Sequence, residues 1–164
     1  MIYFGVENNE YICDGKKTLE ESNITVGIGA SAGGLEAFKV LLEGLPSNTG
    51  ISFVIIQHLA AGQESMLEDI LSRFTNMPVQ TVKDKSQVEP NHVYVIPPGT
   101  TMTMNDKILK LDTKAKLTKP IDAFLISLAD DLKAQSIGII LSGTGSDGTE
   151  GLKAIKAQGG ITFA

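Results

Sequence analysis

The chain is 164 residues long, 42% hydrophobic, with one cysteine and a formal net charge of −5. That length and apolar share suit a single domain with a substantial core, and the acidic balance, with no Lys/Arg cluster interleaved with aromatics, excludes a nucleic-acid footprint. Short apolar runs exclude membrane insertion, the first twenty residues lack the basic start and apolar stretch of an export signal, and the lone Cys13 suits a reducing compartment, so a cytoplasmic protein is expected.

Residues 1–23 hold five acidic side chains against two lysines and read as a polar lead-in, in which residues 3–6 and 11–12 pair as a small hairpin around Asn8-Asn9 at most. From residue 24 onward strands and helices alternate. An apolar strand over 24–28 gives way to Leu35, Phe38, Leu41, Leu42 and Leu45 at helical spacing, with Gly44 and Pro46 as the stop. Residues 51–57 form a buried strand, 64–74 a helix with Met66, Leu67, Ile70 and Leu71 on one stripe, and 78–82 a short strand. Val93-Tyr94-Val95-Ile96 runs into Pro97-Pro98-Gly99, and residues 101–104 and 108–111 flank Asn105-Asp106-Lys107 as an antiparallel hairpin. A surface loop over 114–119 leads to a helix over 122–133, a strand over 137–141, a helix over 150–157 and a last strand over 161–164. Near-continuous apolar strands separated by helices predict an α/β protein: a three-layer sandwich with a mainly parallel, doubly wound sheet and a small antiparallel hairpin.

Chemistry gathers where strands end. Gly29-Ala30-Ser31-Ala32-Gly33 is a G-x-S-x-G at a strand-to-helix turn, the arrangement that exposes a serine hydroxyl as a nucleophile beside the amides of a helix start. His58 stands just past the second strand, and Ser142-Gly143-Thr144-Gly145-Ser146-Asp147-Gly148 just past the strand at 137–141. Carboxyl ends of parallel strands share one edge, so Ser31, His58 and Asp147 are expected to converge as nucleophile, base and orienter, with Ala32, Gly29, Gly33 and Thr144 shaping the turn and the oxyanion donors. No metal site and no cofactor is expected.

Each residue also has a plainer role. Asp147 suits the N-cap of the helix that follows it, the glycines around Thr144 suit a tight loop, and His92 is assigned to structure. Gly27, Gly29 and Gly33 give G-x-G-x-x-x-G, one residue off the dinucleotide fingerprint, and the next strand ends in Gln57-His58 where an acidic residue would grip a ribose; nucleotide binding is therefore the weaker alternative. A domain that kept the fold but serves only for docking or regulation is another.

Taken together, residues 26–34 (VGIGASAGG), Gln57-His58-Leu59, residues 93–99 (VYVIPPG) and residues 141–149 (LSGTGSDGT) resemble the catalytic domain of the CheB protein-glutamate methylesterases, over residues 24–164. Ala32, Pro120-Ile121-Asp122 and Thr144 resemble more closely the CheB domains joined to CheR methyltransferases. The resemblance implies a Ser31, His58, Asp147 triad, hydrolysis of glutamate methyl esters and, as in some relatives, deamidation of glutamine on a methyl-accepting chemoreceptor, and a fused or associated CheR-type partner. Such domains continue past the strand at 161–164, which implies a C-terminally truncated domain here, and no receiver domain precedes residue 24.

Overall fold

In the computed structural model, residues 6–7, 10–13, 16–18, 24–30, 34–57, 66–114, 119–142 and 146–164 are described. Near the start, β1 (Val6–Glu7), β2 (Glu10–Cys13) and β3 (Lys16–Thr18) form an antiparallel sheet in that order. Val6 lies opposite Tyr11, as the expected hairpin requires, residues 3–5 of that hairpin lie outside the described residues, and a third strand is added, Cys13 facing Lys16.

The main sheet has six strands, all parallel, in the order β12-β11-β4-β5-β8-β6. These are β4 (Thr25–Ala30), β5 (Ser52–Gln57), β6 (Val79–Thr81), β8 (Val93–Val95), β11 (Ser136–Ser142) and β12 (Ile161–Phe163). Every residue of β4 and β5 is buried, as a strand covered on both faces must be. Side chains alternate across the sheet. Val26 and Ile28 of β4 with Phe53 and Ile55 of β5 pack against Phe38 and Leu42 of α1 (Leu35–Glu43) and Leu67 and Leu71 of α2 (Leu67–Leu71). On the other face, Val54 and Ile56 meet Phe124, Leu125 and Leu128 of α3 (Pro120–Leu132) and Ile155 of α4 (Thr149–Ala157).

A second small sheet covers the α3 side. In it β7 (Ser86–Gln87), β10 (Ile108–Asp112) and β9 (Thr101–Asn105) run antiparallel. The β9–β10 turn has both Asp106 and Lys107 at positive φ, the twist that suits a two-residue hairpin, and Asp131 of α3 accepts both of their amide hydrogens at 2.8 and 2.9 Å. The three-layer α/β expectation holds, with a third strand added to the hairpin.

Two local readings differ. The helix expected over 64–74 is described only as the five residues of α2, and Met66 stands 62% exposed rather than on the buried stripe. Thr75-Asn76 and Pro78 follow closely on α2 and turn the chain into β6. The loop expected over 114–119 lies mostly outside the described residues. His92 has the structural part expected of it: its Nδ1 donates to the Pro90 carbonyl at 2.9 Å and its ring stacks on Tyr94.

Glu68 ties α2 to the sheet edge, its Oε2 accepting the Thr81 amide hydrogen at 2.7 Å. This bond to Thr81 holds the Glu68 carboxyl below its ordinary value of 4.5. A carboxyl lowered on folding stabilises the fold above its unfolded pKa, and that contribution fades as pH falls through the folded value. The difference in urea midpoint between the parent and Glu68→Gln should therefore be largest above about pH 5 and shrink steadily below it; a difference independent of pH would contradict the contact.

Candidate active site

The carboxyl ends of three neighbouring strands meet at one edge. Ala30, last in β4, is paired with Gln57, last in β5, and on its other side with Ser142, last in β11. Between Ile140 and Ser142 the register shifts, so Leu141 is bulged out of the ladder; such bulges turn the following chain and recur beside active sites. The chain therefore leaves β4 at Ala30 beside Gln57, where it leaves β5. Ser31, Ala32, Gly33, His58 and Thr144 themselves lie outside the described residues, whereas Gly29 and Asp147 are within them.

Asp147 caps a helix, though not its own. Its Oδ2 accepts the amide hydrogen of Ile121 at 3.1 Å and its Oδ1 that of Asp122 at 2.9 Å, so the carboxylate sits on the start of α3. That helix begins at Pro120 with Lys119 as its N-cap residue, which provides no capping side chain. Pro is tolerated at a first helical position but leaves the next amides without partners, and a carboxylate 25 residues further along the chain supplies them. The helix that follows Asp147 is capped in return by Asp122, whose Oδ1 accepts from both Gly148 and Gly151 at 2.9 Å. The expected capping of α4 by Asp147 is thus corrected: each helix start is closed by an aspartate from the other.

No local pattern in the chain signals this exchange, because the partners are 25 to 29 residues apart. The one available signal is negative: Lys119, at the N-cap position, has no side-chain acceptor. Asp122 was visible only as part of a motif.

Gly29 is a strand residue whose missing side chain makes room for α3. A Cβ there would lie 2.5 Å from Ile121 Cγ2, and one at Gly27 would lie 2.5 Å from Leu125 Cδ2. The space above these two glycines is filled by α3 and not left for a pyrophosphate, which removes the main support for nucleotide binding. Gly148, at φ 103°, occupies backbone that favours glycine, and its Cβ would meet Ile140 Cδ1 at 2.5 Å. Ile121 therefore lies between Gly29 and Gly148 while its amide holds Asp147.

Among the described residues no His, Cys, Asp and Glu side chains cluster as a metal site, and no helix is long and apolar enough to cross a membrane. A cleft of about 300 Å³ between the end of α1 and the turn after α2, lined by Leu42, Arg73 and Asn76 among others, lies at the opposite, amino-terminal edge of the sheet.

Fold and strand-end geometry together define a doubly wound α/β protein in which the carboxyl ends of β11, β4 and β5 adjoin, the edge where folds of this class bind ligands. The CheB methylesterase family model matches residues 26–164, and the chain belongs to that family. It is 31% identical to the Thermotoga maritima CheB methylesterase catalytic domain, whose crystal structure superposes with a TM-score of 0.80 over 87% of this chain and 79% of that one. It is 33% identical to protein-glutamate methylesterase/protein-glutamine glutaminase 1 of Carboxydothermus hydrogenoformans, across 90% of this chain and 48% of the relative. Over 100 residues it is 42% identical to a 104.1 kDa Rhodobacter capsulatus protein, covering 60% of this chain and 10% of that protein. The chain thus spans about half the length of one relative and a tenth of the other.

Removing the Asp147 carboxylate should unseat the start of α3. Asp147→Ala, which leaves two amides without acceptors, should cost about 1–3 kcal/mol of stability. Asp147→Asn keeps one acceptor and turns an NH₂ toward the other amide, so it should lie between Ala and the parent rather than matching the parent. Urea denaturation measures both, and an unchanged midpoint for Asp147→Ala would remove the cap.

Proposed function

We propose that the domain is a serine hydrolase that demethylates glutamate methyl esters, with Ser31 as nucleophile, His58 as base and Asp147 as the group that orients the imidazole. The observation that carries this reading is the register Gln57–Ala30–Ser142 across three adjacent strand ends. Strands pair about 4.8 Å apart, so the ends of β4 and β5 at Ala30 and Gln57 are neighbours. Family membership and the methylesterase names of the relatives support the same chemistry.

In the proposed reaction His58 takes the Ser31 proton as Oγ bonds to the ester carbonyl carbon, and the oxyanion is held by amides at the start of α1, that of Ala32 among them, with Thr144 and Gly33 shaping the pocket. The tetrahedral adduct collapses, the methoxy group leaves as methanol with the proton from His58, and Ser31 is left as a glutamyl ester. Water then attacks that ester, His58 again taking and returning a proton, and glutamate is released. Asp147 has an acceptor site to spare for this work: each carboxylate oxygen has two lone pairs, and each takes one amide hydrogen from α3.

The substrate class proposed is a methylated glutamate on the cytoplasmic helices of a methyl-accepting chemoreceptor, with the domain in the cytoplasm. The glutaminase half of the Carboxydothermus relative's name extends the proposal to deamidation of receptor glutamine, which differs only in the leaving group, ammonia in place of methanol. The large size of the Rhodobacter relative supports a multidomain setting, consistent with a fused or associated CheR-type methyltransferase.

A fluorophosphonate probe should label the parent protein at Ser31, located by peptide mass spectrometry. Ser31→Ala should lose the label and reduce methanol release from a methylated receptor fragment by about 10⁴-fold or more. Parent-like turnover in Ser31→Ala would overturn the assignment, and a folded parent that neither labels nor releases methanol would favour a docking module.

A further inference from the structure

Asp122 is a buried carboxylate, 5% exposed, in a position that asks only for a helix cap. A serine or threonine hydroxyl would close the start of α4 with less desolvation cost. What distinguishes Asp122 is that it holds Asp147 from two directions. Its own amide donates to Asp147 Oδ1 at 2.9 Å, and its Oδ1 accepts from Gly148, the residue after Asp147, at 2.9 Å. Side chain and backbone on either side of the Asp147 Cα are thus tied to one residue, and the loop closes into a ring. The same Oδ1 reaches Gly151 in the first turn of α4, so the ring is anchored to a helix and not to a free loop. Among the described residues, Asp122 Oδ2 has no hydrogen-bond donor, with the Lys119 ammonium 3.5 Å away.

A carboxylate that selects an imidazole tautomer must be held to within about half an ångström. Ile121 and Asp122 amides fix where the Asp147 oxygens lie, but they do not fix the backbone that carries Asp147 past the bulge at Leu141. We propose that Asp122 is a positioning residue for the hydrolysis, acting through Asp147 by locking both its carboxylate and the Gly148 amide that follows it. This rests on the reading of Asp147 as the third member of the triad. Asp122 touches no substrate in this scheme, and its effect is transmitted entirely by the two hydrogen bonds it shares with residues 147 and 148.

The acceptor at Oδ1 is the atom that matters, which separates two substitutions. Asp122→Ala should lower kcat by about 10²-fold, the cost of a small misplacement in a catalytic group, with KM changed less than about twofold, measured as methanol release per molecule folded by circular dichroism. Asp122→Asn keeps an acceptor for Gly148 and Gly151 and should restore turnover to within about fivefold of the parent. A loss greater than that in a normally melting Asp122→Asn would overturn the proposal without reference to the alanine variant. Because Asp122 acts only through Asp147, the double variant Asp122→Ala/Asp147→Asn should turn over no more than about threefold slower than Asp147→Asn alone; a group acting on the reaction by a separate route would add its own loss. Parent-like kcat in Asp122→Ala, beside a collapsed Asp147→Asn, would overturn the positioning role and leave the triad standing. Parent-like turnover in Asp147→Asn would overturn the triad reading itself, and this inference with it.

Discussion

The close seat of α3 against β4 is the constraint on which the ligand edge depends. Gly27 and Gly29 present bare backbone to Leu125 and Ile121, so the helix lies nearer the sheet than side chains at those positions would allow. Gly151 does the same between helices, since a Cβ there would lie 2.5 Å from Leu125 Cβ. With α3 and α4 drawn in together, their starts come close enough to exchange aspartates. Interiors pack as densely as crystals of small organic molecules and transmit strain. A methyl group added beneath α3 would accordingly be felt at Asp147 through Ile121, whose side chain and amide serve the two contacts at once.

At its other end α3 is fastened as firmly. Ser127 Oγ accepts from the Met104 amide and donates to the Phe124 carbonyl, and Asp131 holds the β9–β10 turn. The antiparallel sheet is thereby pinned to the helix that carries the Asp147 anchor. Tyr94 joins the same layer: its hydroxyl accepts from the Glu89 amide and donates to the Gln87 carbonyl, and burial pushes its phenol above the ordinary value. Asp147, the third member of the proposed triad, therefore rests on packed elements, a better support for precise chemistry than a loop alone.

Much of this was legible in the chain. Periodicity marks the strands of the main sheet, because a buried parallel strand writes itself as an unbroken apolar run such as residues 53–56. Sequence order was a poorer guide to neighbours: β8 lies between β5 and β6 although β6 comes first in the chain. Asp147 does sit at a helix start, but at that of α3: local spacing favours the helix that follows it, whereas the actual partner is set by tertiary packing. Met66 likewise fitted an apolar stripe on spacing alone, yet stands exposed because it precedes α2 and is not part of it.

The reciprocal capping has a consequence for how the chain reaches this structure. Neither α3 nor α4 has a capping side chain at its own N-cap residue, and the hydrogen bonds that close their starts span 25 to 29 residues. Isolated helices of 13 and 9 residues are marginal in water. During synthesis α3 emerges before its acceptor at residue 147 exists, so its first turn can be completed only after β11 has been made and has docked beside β4. Assembly of this half of the domain is therefore tied to long-range contact, the condition under which folding is slow.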